Sequence, residues 1–137
     1  MSAADVEVAR RVYEHWAAGE FFKPELFTED VEHARIGSAI GWFTGEWRGL
    51  EAFGEVAAAY LREWTDVRFE PERFIDLGDR VLVLDRQFAV GRSSGIHIDQ
   101  PMAKVLTIRD GRISAVHSYW HREEALAAVG LAGDPGG

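Results

Sequence analysis

Residues 80–120 read RVLVLDRQFAVGRSSGIHIDQPMAKVLTIRDGRISAVHSYW. Three runs rich in apolar residues, 80–90, 96–109 and 112–120, are separated by Gly91 to Gly95 and by Asp110-Gly111. Both separators are hairpin signals, so the segment predicts three antiparallel strands. Upstream, 67–77 is a fourth strand candidate that ends at Gly78-Asp79 and carries Pro71, a residue without a ladder donor that belongs on an edge or at a bulge. The four strands form an antiparallel meander. Along 80–90, Val81, Val83 and Ala89 alternate with Leu82, Leu84 and Phe88, so both faces of a central strand are apolar and both need cover.

Working outward, Leu50, Phe53, Val56, Ala57, Tyr60, Leu61 and Trp64 recur at helical spacing over 50–64 and make a broad stripe that packs on the sheet. Residues 4–18 carry a second such stripe, Val6, Ala9, Val12, Tyr13, Trp16 and Ala17, with Gly19 placed for a C-cap. Pro24 opens a short helix through Leu26 and Phe27. Val31 to Ile36 reads as a strand with Val31, His33 and Arg35 on one face. From Gly37 to Gly49, four glycines among Ile40, Trp42, Phe43 and Trp47 suggest an aromatic-rich loop, a lid or a sheet edge. A last short helix begins near Arg122. The order of elements is α+β, with helices gathered on one face of a curved sheet. The other face is most simply covered by a homodimer through the sheet. One domain over 1–132 and a flexible tail over 133–137 are expected.

Composition narrows the function. The 137 residues hold 23 Asp plus Glu against 15 Lys plus Arg, a net charge of -8, which disfavours nucleic acid or an anionic membrane as partner. Hydrophobic residues make up 47%, enough for a core, yet no apolar stretch approaches a membrane span. The N-terminal residues lack a signal peptide's pattern, so a cytoplasmic protein is expected. With no cysteine, thiolate nucleophiles and thiolate metal sites are excluded. The phosphate-cradling and nucleophile-elbow motifs are absent. No cofactor is expected. His117 and His121, and separately His97 and Asp99, form two isolated pairs, short of the sets that metals need, so no metal site is assigned.

Several residues stand out by chemistry. Lys104 is one of two lysines and lies in an otherwise apolar strand between Met102 and Ile108. Buried, it can hold an anionic oxygen, stabilise an enolate or form a Schiff base; equally, it can pair with a carboxylate such as Asp85 or Glu70. His33 has an unperturbed pKa suited to a general base, and Arg35 beside it on the same face suits a carboxylate or enolate. Each is also a plain pocket-wall or rim residue in the alternative reading. Arg86 and Phe88 are pocket-side candidates, with Arg86 pairing across strands as the alternative. Trp16, Trp42, Phe53, Tyr60 and Trp120 line a cavity or fill the core.

The segment Gly111-Arg112-Ile113-Ser114-Ala115-Val116-His117-Ser118-Tyr119-Trp120-His121-Arg122-Glu123-Glu124-Ala125-Leu126 resembles the close of SnoaL-like proteins of the nuclear transport factor 2-like superfamily. Tyr13 to Glu20, Leu26-Phe27-Thr28-Glu29-Asp30-Val31 and Gly45-Glu46-Trp47-Arg48-Gly49 are similar to that family's first helix and turn, its approach to the first strand and the segment before its third helix. The resemblance implies a conical barrel of a strongly curved, mainly antiparallel sheet, with three helices from the N-terminal half over its concave face and a short C-terminal helix. It also implies a deep apolar pocket, usually in a dimer. Members include ketosteroid isomerase, polyketide cyclases and limonene epoxide hydrolase, so the family alone does not choose a reaction. By similarity, the Trp120 face of the last strand turns to the pocket and takes Ser118 inward, where relatives carry an acid. Lys104 falls near an oxyanion-hole position, and His33 and Arg35 on the face of a catalytic base.

The implied function is a pocket for a small, mainly apolar oxygenated molecule. A cofactor-independent isomerase, cyclase or lyase using proton transfer is one form; a noncatalytic binding or dimerisation module is the other. In the catalytic form, His33, Lys104 and Ser118 act on the substrate, while Trp16, Arg35, Phe53, Tyr60, Arg86, Phe88 and Trp120 bind it.

Overall fold

A computed structural model describes residues 3–37 and 44–131. The elements are α1 (Ala3–Ala17), a 3-10 turn (Pro24–Leu26), β1 (Phe27–Ile36), β2 (Gly45–Arg48), α2 (Leu50–Glu63), β3 (Trp64–Asp76), β4 (Arg80–Gly91), β5 (His97–Arg109), β6 (Arg112–Tyr119) and α3 (Arg122–Ala128). One curved six-stranded sheet has the order β2-β1-β6-β5-β4-β3, open at β2 and β3. The meander β3 to β6 is antiparallel as the turns predict. Asp110 and Gly111 both take positive φ, the backbone a two-residue hairpin needs.

One boundary departs from the sequence reading, and two pairings complete the sheet. β1 starts at Phe27 rather than Val31, because the Pro24 turn closes after one turn and Phe27 is already extended. β1 then pairs parallel with β6, a long-range choice that makes the sheet mixed. Part of the expected loop, Gly45–Arg48, is an antiparallel edge strand on β1. Ile40, Trp42 and Phe43 lie outside the described residues, as does the expected tail 133–137.

The helices divide the apolar side chains into two cores. α1 buries Val8, Ala9, Val12, Tyr13 and Trp16 at helical spacing, and these meet Val81, Val83, Leu106, Ile113 and Val116 on the concave face. On the opposite face, Leu82, Leu84, Ala103, Val105 and Tyr119 pack under Ala125 and Leu126 of α3. The cover over these positions comes from the chain's own α3. Arg122 anchors α3: its guanidinium donates to the carbonyls of Met102 (2.9 Å) and Asp85 (2.7 Å) and to Glu72 (2.7 Å). Pro71, paired with Asp85, has no N–H to give and sits on the edge strand at a register shift, as expected of it.

Gly49 turns β2 into α2 with φ 96 and ψ 156, a conformation close to the region reserved for glycine. Gly49→Ala is expected to lower unfolding free energy by about 1–3 kcal/mol, read as a shift in urea midpoint at unchanged slope. A midpoint equal to wild type would show that the turn relaxes without strain.

Candidate active site

α2 does not press flat on the sheet. Of its stripe only Phe53 is fully buried, whereas Val56, Ala57, Tyr60 and Leu61 are half-buried over a cavity of about 80 Å³. Trp16 and Phe21 close one side, Val67 and Phe69 of β3 another, and Val116, Ser118, Lys104 and Gln87 form the sheet floor with His33 and Arg35 of β1. A wider hollow of about 680 Å³, between α2, Trp47 and Trp64, shares Arg35, Val56 and Tyr60 with the inner cavity. These three side chains therefore stand where the two spaces adjoin.

Strand register aligns the polar floor. Arg35 is paired with Ser118 and Ser118 with Lys104, so one transverse row runs Arg35, Ser118, Lys104 across β1, β6 and β5. Neighbouring strands are about 4.8 Å apart, which puts the two cationic residues' backbones about 10 Å apart with a hydroxyl between them.

Lys104 is 4% exposed, and its ammonium donates to Asp85 Oδ2 at 2.6 Å. The pairing with Asp85 that the sequence left open is therefore the one formed; Glu70 is exposed and bonded to Arg68 instead. Tyr13 Oη donates to the same Asp85 oxygen at 2.8 Å, and burial followed by the Asp85 charge pushes this phenol well above its usual pKa. Asp85 is fully buried, and its Oδ1 has no hydrogen-bond partner among the described residues. The ammonium also lies over the Phe69 ring, 4.3 Å from its centroid, with the Trp16 centroid at 5.7 Å.

His33 sits between Trp47 and Phe53, with ring centroids at 5.3 and 5.1 Å. Burial first, then the positive charges of Arg35 and Lys104, lowers its pKa from 6.5 to about 3. At neutral pH it is a neutral imidazole whose Nδ1 has no partner among the described residues. A group of that pKa is a poor match for general-base work near pH 7, which corrects the expectation built on an unperturbed histidine. The Arg35 guanidinium lies 5.3 Å from the Trp47 centroid and 5.4 Å from that of Tyr60. Tyr60 accepts a hydrogen bond from Gln87, and burial pushes its phenol up to about 12.

Seven of the expected site residues therefore line one cavity: Trp16, His33, Arg35, Phe53, Tyr60, Lys104 and Ser118. Three do not. Even-numbered positions of β4 face α3's side of the sheet, so Arg86 points away and bonds Asp99 at 2.6 Å, and Phe88 lies under the guanidinium of Arg68. Trp120 falls just past the end of β6, where alternation no longer holds; its N–H donates to Ile36 O and its carbonyl accepts from Gln100. Gln87 and Asp85 were not picked as site residues, although both are polar intrusions in the Val81, Val83, Ala89 parity of β4. His117 lies on the outer face, 3.6 Å from Glu32, and His121 is the N-cap of α3. Among the described residues no three His, Asp or Glu side chains gather as a metal site would require.

The comparisons agree with this architecture. No curated protein matches the chain. A protein of unknown function from Burkholderia pseudomallei, described as similar to nuclear transport factor 2, superposes with a TM-score of 0.75 at 17% identity, covering 96% of this chain and 100% of that one. A protein described as a SnoaL-like polyketide cyclase from Jannaschia sp. CCS1 gives 0.74 at 18%, covering 94% and 95%. A Catenulispora acidiphila protein with a ketosteroid isomerase-like fold, solved with trimethylamine, gives 0.70 at 18%, covering 91% and 93%. At such identities these likenesses establish the fold. The sequence pattern of the SnoaL-like domain matches residues 9–116, a span running from the helix that carries Tyr13 and Trp16 into the last strand at Val116, and the chain belongs to the SnoaL-like domain family.

Proposed function

We propose that the chain binds a small molecule whose oxygenated, anion-like end meets the row Arg35, Ser118, Lys104 and whose apolar part lies against Trp16, Phe53 and Phe69. The observation that carries this reading is the row itself: two cationic residues flanking a hydroxyl on the floor of a cavity with apolar walls. Asp85 balances the Lys104 charge, and the residues lining the cavity include no Asp or Glu, so the lining presents donors rather than acceptors to a ligand oxygen. The cavity of about 80 Å³ is smaller than the roughly 150 Å³ that admits a benzene ring, which favours a compact buried group.

This reading favours binding over proton transfer by His33. An isomerase, cyclase or lyase working in this cavity would draw its mobile proton from the Lys104 and Asp85 pair, which are joined by a 2.6 Å hydrogen bond between two ionisable groups.

Titration calorimetry with short carboxylic acids and their matching primary amides tests the reading. The acids are expected to bind more tightly, and Arg35→Met to weaken acids by about ten- to a hundredfold while leaving amides nearly unchanged, since a hydrogen bond to a charged group contributes about 1.5–3 kcal/mol. Equal affinities for acid and amide, or an Arg35→Met variant that binds acids as wild type does, would remove the anion site.

A further inference from the structure

Lys104 combines three properties that seldom coincide. It lines a cavity, a carboxylate oxygen able to take the proton of its ammonium stands 2.6 Å away, and the ammonium lies near the aromatic rings of Phe69, Trp16 and Tyr13. A lysine placed only to neutralise Asp85 has no need to face a cavity. Asp85 in turn has a buried oxygen, Oδ1, without a hydrogen-bond partner among the described residues, while Oδ2 takes both the ammonium and the Tyr13 hydroxyl. The carboxylate can thus hold the lysine proton and remain anchored by Tyr13.

We propose that Lys104 captures a small oxo acid covalently, as an imine between its Nζ and the ligand's carbonyl carbon, with the ligand's carboxylate directed along the floor past Ser118 to Arg35. This rests on the anion-site reading above and names the ligand class that both ends of the row select. The dimensions fit. About 10 Å separates the two cationic backbones, both side chains reach inward, and a chain of a few carbons spans what remains.

The step balances without any further reactant. Asp85 takes one proton from the ammonium, leaving a neutral amine whose lone pair attacks the carbonyl carbon while the C=O π electrons move to oxygen. That oxygen takes the proton back from Asp85. Asp85 then removes a second proton from the new N–C centre to give the carbinolamine, and returns it to the hydroxyl as the C–O bond breaks and water leaves. The products are a protonated imine, water and an ionised Asp85, so the net change is ammonium plus carbonyl to iminium plus water. Ser118, paired in register with Lys104, supplies a hydroxyl to the carbonyl oxygen during attack.

The chain makes the test sharp, because Lys23 is its one other lysine and lies at the surface beside Glu20 and Glu25. Full-length protein incubated with pyruvate and cyanoborohydride, then digested and mapped by mass spectrometry, is expected to carry one reduced adduct on Lys104. That adduct should exceed labelling of Lys23 by at least about tenfold, a modest figure beside the effective molarity of a bound carbonyl. Lys23→Arg should leave the adduct in place, and Lys104→Arg should abolish it. Lactate, which keeps the carboxylate but has no carbonyl, separates the two readings. If lactate binds and Arg35→Met weakens it while pyruvate leaves no adduct on Lys104, imine capture is wrong and the anion site stands. If neither acid binds and no adduct forms, both are wrong. Labelling spread equally over Lys23 and the N-terminal amine also overturns the proposal, and the wild-type map decides this even if Lys104→Arg fails to fold.

Discussion

Asp85→Ala is expected to lower the unfolding free energy by about 3–5 kcal/mol, the range for removing one partner of a buried ion pair. The cause is less the lost attraction than what remains: a lysine 4% exposed, on a strand whose neighbours on both faces are buried, deprived of the carboxylate it pairs with among the described residues. Tyr13 loses its acceptor in the same substitution. Lys104→Met should be damaging for the mirror reason, leaving a fully buried carboxylate with the Tyr13 hydroxyl as its remaining donor among the described residues. The triple replacement Tyr13→Phe, Asp85→Val and Lys104→Met removes every member together and should recover most of the loss, since well-packed apolar groups often equal or exceed a buried pair in stability. Urea unfolding of the four proteins measures this. If Asp85→Ala costs no more than about 0.5 kcal/mol, the size of an ordinary surface change, the pair is not buried as described. If the triple variant is as unstable as Asp85→Ala, the loss comes from packing rather than from an orphaned charge. A triple variant that folds and loses ligand capture would place this group at a functional site, where stability is given up for chemistry.

Acid should destabilise the protein through His33 well before the carboxylates are protonated. The unfolded imidazole titrates near 6.5 and the buried one near 3, so between those values the unfolded chain binds the additional proton. The His33 contribution is whole above about pH 6.5 and is lost progressively as pH falls toward 3. Its slope approaches about 1.4 kcal/mol per pH unit, the value for one proton. His33→Phe keeps an aromatic ring against Trp47 and Phe53 and removes the titration, so its stability should fall less between pH 6.5 and pH 4. Asp30, held low by Arg109, and Glu20, held low by His15, add losses of the same sign at lower pH in both proteins, and the difference between the curves isolates His33. Parallel curves for wild type and His33→Phe would mean that the imidazole is hydrated in the folded state. The same physics links acid to ligand, because an anion beside Arg35 opposes one of the charges that hold the His33 pKa down.

Much of this site was legible along the chain. The period of two in a strand is local, so His33 and Arg35 sharing a face, and Ser118 sharing one with Val116, follow from alternation, and the structure places all four on the cavity. The resemblance in Gly111 to Leu126 chose which face of the last strand turns inward. Parity alone did not tell which face of β4 is concave, because both carry apolar residues, and Arg86 and Phe88 were assigned to the wrong side for that reason.

By itself, the sequence determined the α+β class, the antiparallel meander with its Asp110-Gly111 turn, the two N-terminal-half helices and the unusual position of Lys104, all of which depend on residues within one or two turns of each other. The tertiary structure alone decided the rest. Asp85 meets Lys104 from 19 positions away and Tyr13 from 72, a choice made by strand register and by where α1 lies across the sheet. α3 covers Leu82 and Leu84 because the chain returns over the outer face after β6. His33 loses its ordinary basicity because desolvation and the nearby charges of Arg35 and Lys104 depend on the packed surroundings, which no stretch of sequence contains.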